Sequence, residues 1–399
     1  MPNRNIGILK STPALIACLL ALLGCMYLAS KSLFLSHQAV DFPYIWLAGQ
    51  LWSSGIDPYS AAFESAGREL VVDGHSPQTW FYPPNWWPIA VLTAQLPLSN
   101  SVTVWRTVSA ALLLTSTLAL VLARHRFDGE MSVERAAIAV AYGCLMSATP
   151  MALSMGQSSL IGFTGVALFI VAHLTEKRLI MGLALALAML KPQIGLPLVA
   201  FVLPATKWWG SIAGAGFASL LFAVPAFSAV EIPRFVSAYL SQLSVHEGLE
   251  PNHPLEMTGM RNLLFDAFDI TVPSLGLLTT SVAIAGLIGW RARLQSLEKT
   301  TLLALLLATV ALFAPLHTYD LMIVVPFILL TSSFSLFAQL VIASGMMVIF
   351  RANNLAFVTG IYHPDAAINI DSCLASLGLV IVAVGALAEF FKRTSSTRP

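Results

Sequence analysis

Apolar runs long enough to cross a bilayer recur along the whole chain. They lie near 12–34, 102–123, 136–153, 158–175, 179–191, 192–205, 210–230, 271–290, 300–316, 319–333, 335–350 and 367–390. A membrane helix takes roughly 17 to 25 residues, so the pattern predicts an all-α polytopic membrane protein with about 12 transmembrane helices (about 10–13). No polar segment is long enough for a separate soluble domain, and residues 1–399 read as one integral membrane domain. Two long polar stretches interrupt the pattern, 35–100 and 231–270. The first is expected to carry helices lying along the membrane surface.

One apolar run is itself broken. In "LALALAMLKPQIGLPLVAFVL", residues 183–203, a lysine and a proline stand in the middle. Proline removes a backbone donor and disfavours helical geometry in the residue before it. Lys191-Pro192 therefore predicts a turn between two short spans, each about 13 residues or ~20 Å long. A turn so short of the surface lies inside the protein, where irregular backbone can be satisfied. A cation there points to a functional site, the plainer reading being a lysine that snorkels to the interface. Gln193 adds a second polar group at the same turn.

Composition agrees with the membrane reading. The chain is 57% hydrophobic and 10% charged, with mean hydropathy +0.78, against about 25% charged residues in soluble domains. The first run follows Arg4 and Lys10 and reads as a signal anchor rather than a cleaved signal peptide. Cys18, Cys25, Cys144 and Cys373 all fall in apolar segments, without metal-ligand spacing. With the turn at Lys191, 14 of the 21 lysines and arginines fall on one side, together with both termini. That side is expected to be cytoplasmic. A continuous kinked span through Lys191 would instead divide the basic residues evenly.

On this topology the unusual polar residues gather on the outer side. Asp41 follows the first span and is flanked by Phe42, Pro43, Tyr44 and Trp46. It can act as a general base towards a hydroxyl, or simply cap the helix that Phe42-Pro43 begins. "WFYPPNWWP" (80–88) reads either as an interfacial aromatic belt or as faces for a sugar ring or prenyl chain. His317 and Asp320 flank a tight turn between spans, able to hold a proton, orient a phosphate or cap the next helix. Arg261 opens an apolar segment as an interface anchor or an anion ligand. No P-loop, dinucleotide fingerprint, HExxH or paired CxxC is present, and a net charge of +1 gives no basic surface for nucleic acid.

Five blocks occur in an order that resembles glycosyltransferase family 87 of the GT-C superfamily. They are "AVDFPYIWLAGQLWSSGIDPYS", "FYPPNWWPIAVLTAQLPLS", "GQSSLIGF", "GLALALAMLKPQIGLPL" with "KWWG" after it, and "FAPLHTYDLMIVVP". The resemblance implies a GT-C-like bundle in the cytoplasmic membrane of a bacterium. It implies transfer of a sugar, usually mannose, from a polyprenyl-phosphate donor to a lipid or glycan acceptor on the outer face. The family's expected base maps to Asp41. Tyr82 and Asn85 fall in its "YPP" block, Gln157 in "GQ", Lys191 and Gln193 in "KPQ", and His317, Tyr319 and Asp320 in the late polar turn. Such a reaction needs a cation to meet charge developing on the leaving phosphate. Lys191 is the candidate, with Arg261 as helper. Phosphate leaves readily, so inversion by a single displacement requires no metal and no cofactor. The expected partners are the donor, the acceptor and membrane lipids. A multi-span transporter or lipid flippase is the alternative, since proline-broken helices and a buried cation fit it as well.

Overall fold

The computed structural model describes residues 12–34, 39–72, 74–129, 131–204, 232–294, 297–352 and 367–396, with scattered positions between 212 and 223. The span expected at 210–230 and the "KWWG" block lie largely outside the described residues. The first helices are α1 (Thr12–Phe34), α2 (Phe42–Ser53), α3 (Ala61–Glu69), α4 (Trp87–Thr93), α5 (Leu98–Asp128), α6 (Val133–Leu145), α7 (Ala148–Met155), α8 (Ser159–Thr175), α9 (Arg178–Ala188) and α10 (Pro192–Val202). Helices over Ile232–Glu247, Met260–Phe268, Ser274–Leu294, Lys299–Phe313, Leu336–Phe350 and Ala367–Ser396 follow. A two-residue ladder, β1 (Met257–Thr258) with β2 (Leu316–His317), ties the 231–270 loop to the late polar turn.

The chain is an all-α membrane protein. Four helices among the described residues are long and apolar enough to cross a membrane: Thr12–Leu33, Leu98–Asp128, Ser274–Leu294 and Asp371–Ser395. The run expected as one span at 136–153 is divided into α6 and α7, bent by 43°. Several other expected spans are helices of 10–17 residues. Hydropathy measures apolar length alone, and it cannot distinguish a helix facing lipid from one buried among its neighbours. The α8 and Lys299–Phe313 helices are apolar because they are core: Phe163, Phe169, Leu303 and Leu306 are fully buried. By contrast α1 exposes Leu15, Ile16, Leu19, Leu22, Leu23 and Met26, the arrangement of a helix on the rim with lipid as solvent.

The break at Lys191 is a turn. Just before α9, Glu176 pairs with Lys299 at 2.8 Å. Just past α10, the carbonyl of Pro204 accepts from Arg293 at 3.5 Å. Both ends of the α9–α10 hairpin thus lie beside the end of Ser274–Leu294 and the start of Lys299–Phe313, and Lys191 is at the opposite tip. The hairpin closes tightly at that tip because Gly195 has no side chain; a Cβ there would lie 2.8 Å from the Ala188 carbonyl.

Basic residues at the far end from Lys191 bind one another's helices. Arg124 pairs with Asp128 (2.6 Å) and donates to Ser332 (2.8 Å). Arg135 donates to Gln339 (3.2 Å), and Arg393 pairs with Glu298 and with Glu389 (2.7 Å). The other end carries the segment 39–95, folded as α2, α3 and α4 with aromatic packing of its own. Its core of Phe42, Trp52, Tyr59, Phe63, Trp80 and Trp86 is separate from the main core, and Trp105, Ile161 and Leu190 join it from the helices below. The seam between these two cores runs past Asp41, Gln157 and Lys191.

Candidate active site

Asp41 occupies the N-cap position of α2, with Pro43 in the first turn, as one of the two sequence readings requires. Its side chain makes no cap hydrogen bond, however. The carboxylate accepts the Gln157 amide instead, at 2.7 Å, while the Asp41 backbone N–H donates to Met155 at 2.9 Å. Both partners come from the end of α7, so this helix and not α2 sets the position of the carboxylate.

Gly156 makes that approach possible. It ends α7 with φ +72°, and a Cβ there would lie 2.5 Å from Ala39 Cβ and 2.7 Å from Phe42 Cβ. The Trp105 indole donates to its carbonyl at 2.9 Å. A left-handed conformation costs a non-glycine residue roughly 1–2 kcal/mol, and the overlap adds to it. Gly156→Ala is therefore expected to lower the thermal unfolding midpoint and to weaken transfer more than the Gly55→Ala control, where φ is +72° but no atom lies within 4 Å. Comparing both midpoints and both rates checks this.

Burial raises the Asp41 carboxyl to about 6, opposed by the Gln157 hydrogen bond and then by the charges of Lys191 and His75. A buried carboxyl poised there is matched to accepting a proton near neutral pH. Around it stand Tyr44, Tyr82 and Tyr319, each within its electrostatic reach. Burial raises the Tyr82 phenol, and the Asp41 charge raises it further.

Lys191 is 6% exposed, and its ammonium is not a free cation. It pairs with Asp320 at 2.5 Å and donates to the Ser159 hydroxyl at 2.9 Å, with the Tyr319 ring 5.5 Å away. Ser159 also donates to Asp320 at 2.6 Å. The other Asp320 oxygen accepts the His317 backbone N–H at 3.2 Å, so this residue both starts its own helical turn and neutralises the lysine.

Two residues of the aromatic block have a structural task at the hairpin tip. Trp86 donates its indole N–H to the Leu190 carbonyl (2.8 Å), and Asn85 its amide to the Met189 carbonyl (3.3 Å). Both carbonyls lie in the turn just past α9, outside any helical ladder, and these side chains supply their donors. The Asn85 Oδ1 is buried with no hydrogen-bond partner among the described residues. Gln193, in the first turn of α10, is half-buried.

His317 contacts Asn252 at 3.2 Å and stacks on Tyr319 with centroids 4.9 Å apart. Burial lowers the pKa of His317 and holds His246 down to about 4. His246 packs on Phe81, with centroids 3.8 Å apart. Arg261 does not join the Lys191 contacts. It donates to Ser274 and lies 3.6 Å from Glu247, bracing the 231–270 loop against the next helix. Its Nε is buried with no hydrogen-bond partner among the described residues, and its charge reaches His317.

The structure thus brings Asp41, Tyr82, Gln157, Lys191, Tyr319 and Asp320 into one neighbourhood, with His317 at its edge. Sequence reasoning missed Ser159 and the aromatic contact of His246. Ser159 lay in the quoted "GQSSL" block, two residues past the glutamine taken as its polar member.

A family model described as glycosyltransferase family 87 matches residues 80–318, more than half of the sequence. The chain belongs to glycosyltransferase family 87. As a family 87 member it is a membrane glycosyltransferase. The matched region holds the hairpin, Gln157 and His317, whereas Asp41, Tyr319 and Asp320 lie outside it and are brought to the site by their contacts with Gln157 and Lys191. No curated protein and no solved structure matches the chain significantly.

Proposed function

We propose that this family 87 protein transfers a sugar, mannose being the first choice, from a polyprenyl-phosphate donor to an acceptor hydroxyl. Asp41 serves as general base. The observation that carries this reading is the Asp41 carboxylate: it stands at a helix start without capping it, is held by Gln157, and is raised to about 6. The acceptor oxygen attacks the anomeric carbon while its proton passes to Asp41. The bond from that carbon to the phosphate oxygen breaks, and polyprenyl phosphate leaves from the opposite face. One displacement inverts the anomeric centre.

An ammonium has three N–H donors, and Ser159 and Asp320 take two on Lys191. The third is assigned to a phosphate oxygen, where a fixed donor stabilises developing charge. Arg261, which braces the 231–270 loop through Ser274 and Glu247, takes no part in that assignment. The Asp41 end is the outer face on this reading, because the opposite end holds Arg124, Arg135, Lys299 and Arg393, the distribution of a cytoplasmic side. The membrane is the cytoplasmic membrane, with both termini inside. No step calls for a metal or a cofactor.

A pH profile tests the role of Asp41. Transfer requires its ionised form, so kcat/KM is expected to rise with pH through about 6. Gln157 donates to that ionised form and lowers the pKa. Gln157→Ala therefore moves the acid limb to higher pH. An unmoved limb would assign the titration to some other group.

A further inference from the structure

Asp41 and Gln157 meet at the end of α7, and that end is held from α5. The last carbonyls of a helix have no partner within it. Here four in a row are met from outside. Arg106 donates to Leu153 (2.9 Å) and Ser154 (3.1 Å), the Asp41 backbone N–H to Met155 (2.9 Å), and the Trp105 indole to Gly156 (2.9 Å). Two neighbouring side chains of α5 thus supply three of the four donors.

Arg106 is 4% exposed and stands within a helix long enough to cross the membrane, where a buried cation marks function by default. Its guanidinium faces the negative end of α7, a favourable pairing. Its planar fork reaches two adjacent carbonyls, as a lysine ammonium cannot. Trp105 touches both halves of the Asp41–Gln157 contact. Its N–H binds the carbonyl of Gly156, beside Gln157, and its ring packs on Phe42, beside Asp41, with centroids 5.1 Å apart.

That anchorage matters because α7 does not inherit its direction from a long helix. It is eight residues long and bent by 43° from α6, whereas α5 runs for 31 residues. The Gln157–Asp41 hydrogen bond is 2.7 Å long, and such bonds weaken steeply as they lose alignment. Release of the α7 end therefore weakens the bond without altering either partner. The charges of Lys191 and His75 also reach Asp41, and Tyr44, Tyr82 and Tyr319 stand around it. Changes confined to α5 leave all five in place.

We propose that Trp105 and Arg106 are positioning residues for transfer, fixing the end of α7 and through it the contact of Gln157 with Asp41. The proposal rests on the transferase reading for the role of Asp41, but the positioning itself is measured with neither donor nor acceptor present. The full chain in lipid nanodiscs, with carbon-13 in its aspartate carboxyls, is titrated by NMR; the Asp41 signal is the one missing from Asp41→Asn. Gln157→Ala should move its midpoint up from about 6 by roughly 0.5 to 1 pH unit, the weight of one hydrogen bond to the ionised form. Arg106→Met should move it in the same direction, as should the milder Trp105→Phe, which keeps a ring on Phe42. Neither should move it further once Gln157 is alanine, because both act through that residue. Arg135→Met, at the far end of the bundle, should lower the unfolding midpoint and leave the Asp41 titration unmoved, which separates lost stability from lost positioning. A titration unmoved in Gln157→Ala or in both α5 variants, or shifts that add in the double variants, overturns the positioning and leaves the role of Asp41 to its own test by rate. The predicted shifts in a protein whose Asp41→Asn variant still transfers sugar uphold the positioning and remove Asp41 as the base.

Discussion

Asp41→Asn is expected to lower kcat/KM for sugar transfer by about 10²- to 10⁴-fold, the usual contribution of a positioned general base. The amide keeps the size of the carboxylate and an oxygen to accept the Gln157 N–H, so the fold around α2 and α7 should persist. What it cannot do is take a proton from the acceptor. Expression, unfolding midpoint and donor affinity should stay close to wild type, and the rise in rate through about 6 should vanish. Full activity in a well-folded Asp41→Asn protein would mean that the carboxylate does not take the acceptor proton.

The second large effect concerns the buried pair. Lys191→Met leaves the Asp320 carboxylate buried with Ser159 and the His317 N–H but without its counter-ion. Breaking a buried ion pair from one side costs roughly 3–5 kcal/mol, whereas neutralising both partners costs far less. The single variant should therefore lose both stability and transfer. In Lys191→Met/Asp320→Asn the unfolding midpoint should largely recover while transfer stays down by about 10²-fold, as when one fixed donor to a developing charge is removed. Chemical denaturation and initial rates on the same samples separate the two roles. A double variant that regains transfer along with stability would make Lys191 a structural residue only.

How far the site was legible in the sequence differs from residue to residue. The turn at Lys191-Pro192 was legible because proline, apolar length and charge balance act locally or by simple counting. Its counter-ion was not: Asp320 is 129 positions away, and nothing near "LKPQ" requires a carboxylate. Asp41 had two readings because the local pattern of a capped helix and that of a free base are identical. The decision rests on Gln157, 116 positions downstream. The aromatic block shows the same limit. "PNWW" has the composition of an interfacial belt, yet Asn85 and Trp86 serve the two unpaired carbonyls of the hairpin tip, a need that exists only after folding. The fold class followed from composition, whereas the bend between α6 and α7 did not, since both halves are equally apolar.

The account depends most on one carboxylate drawing a proton from the acceptor during a single displacement at a lipid-linked sugar. The direct test supplies purified protein in nanodiscs with radiolabelled polyprenyl-phosphate mannose and an acceptor glycan, and determines the anomeric configuration of the product by NMR. Transfer with inverted configuration, lost in Asp41→Asn, is the predicted result. Retained configuration, or no transfer of the label by protein that is folded and binds the donor, would contradict it.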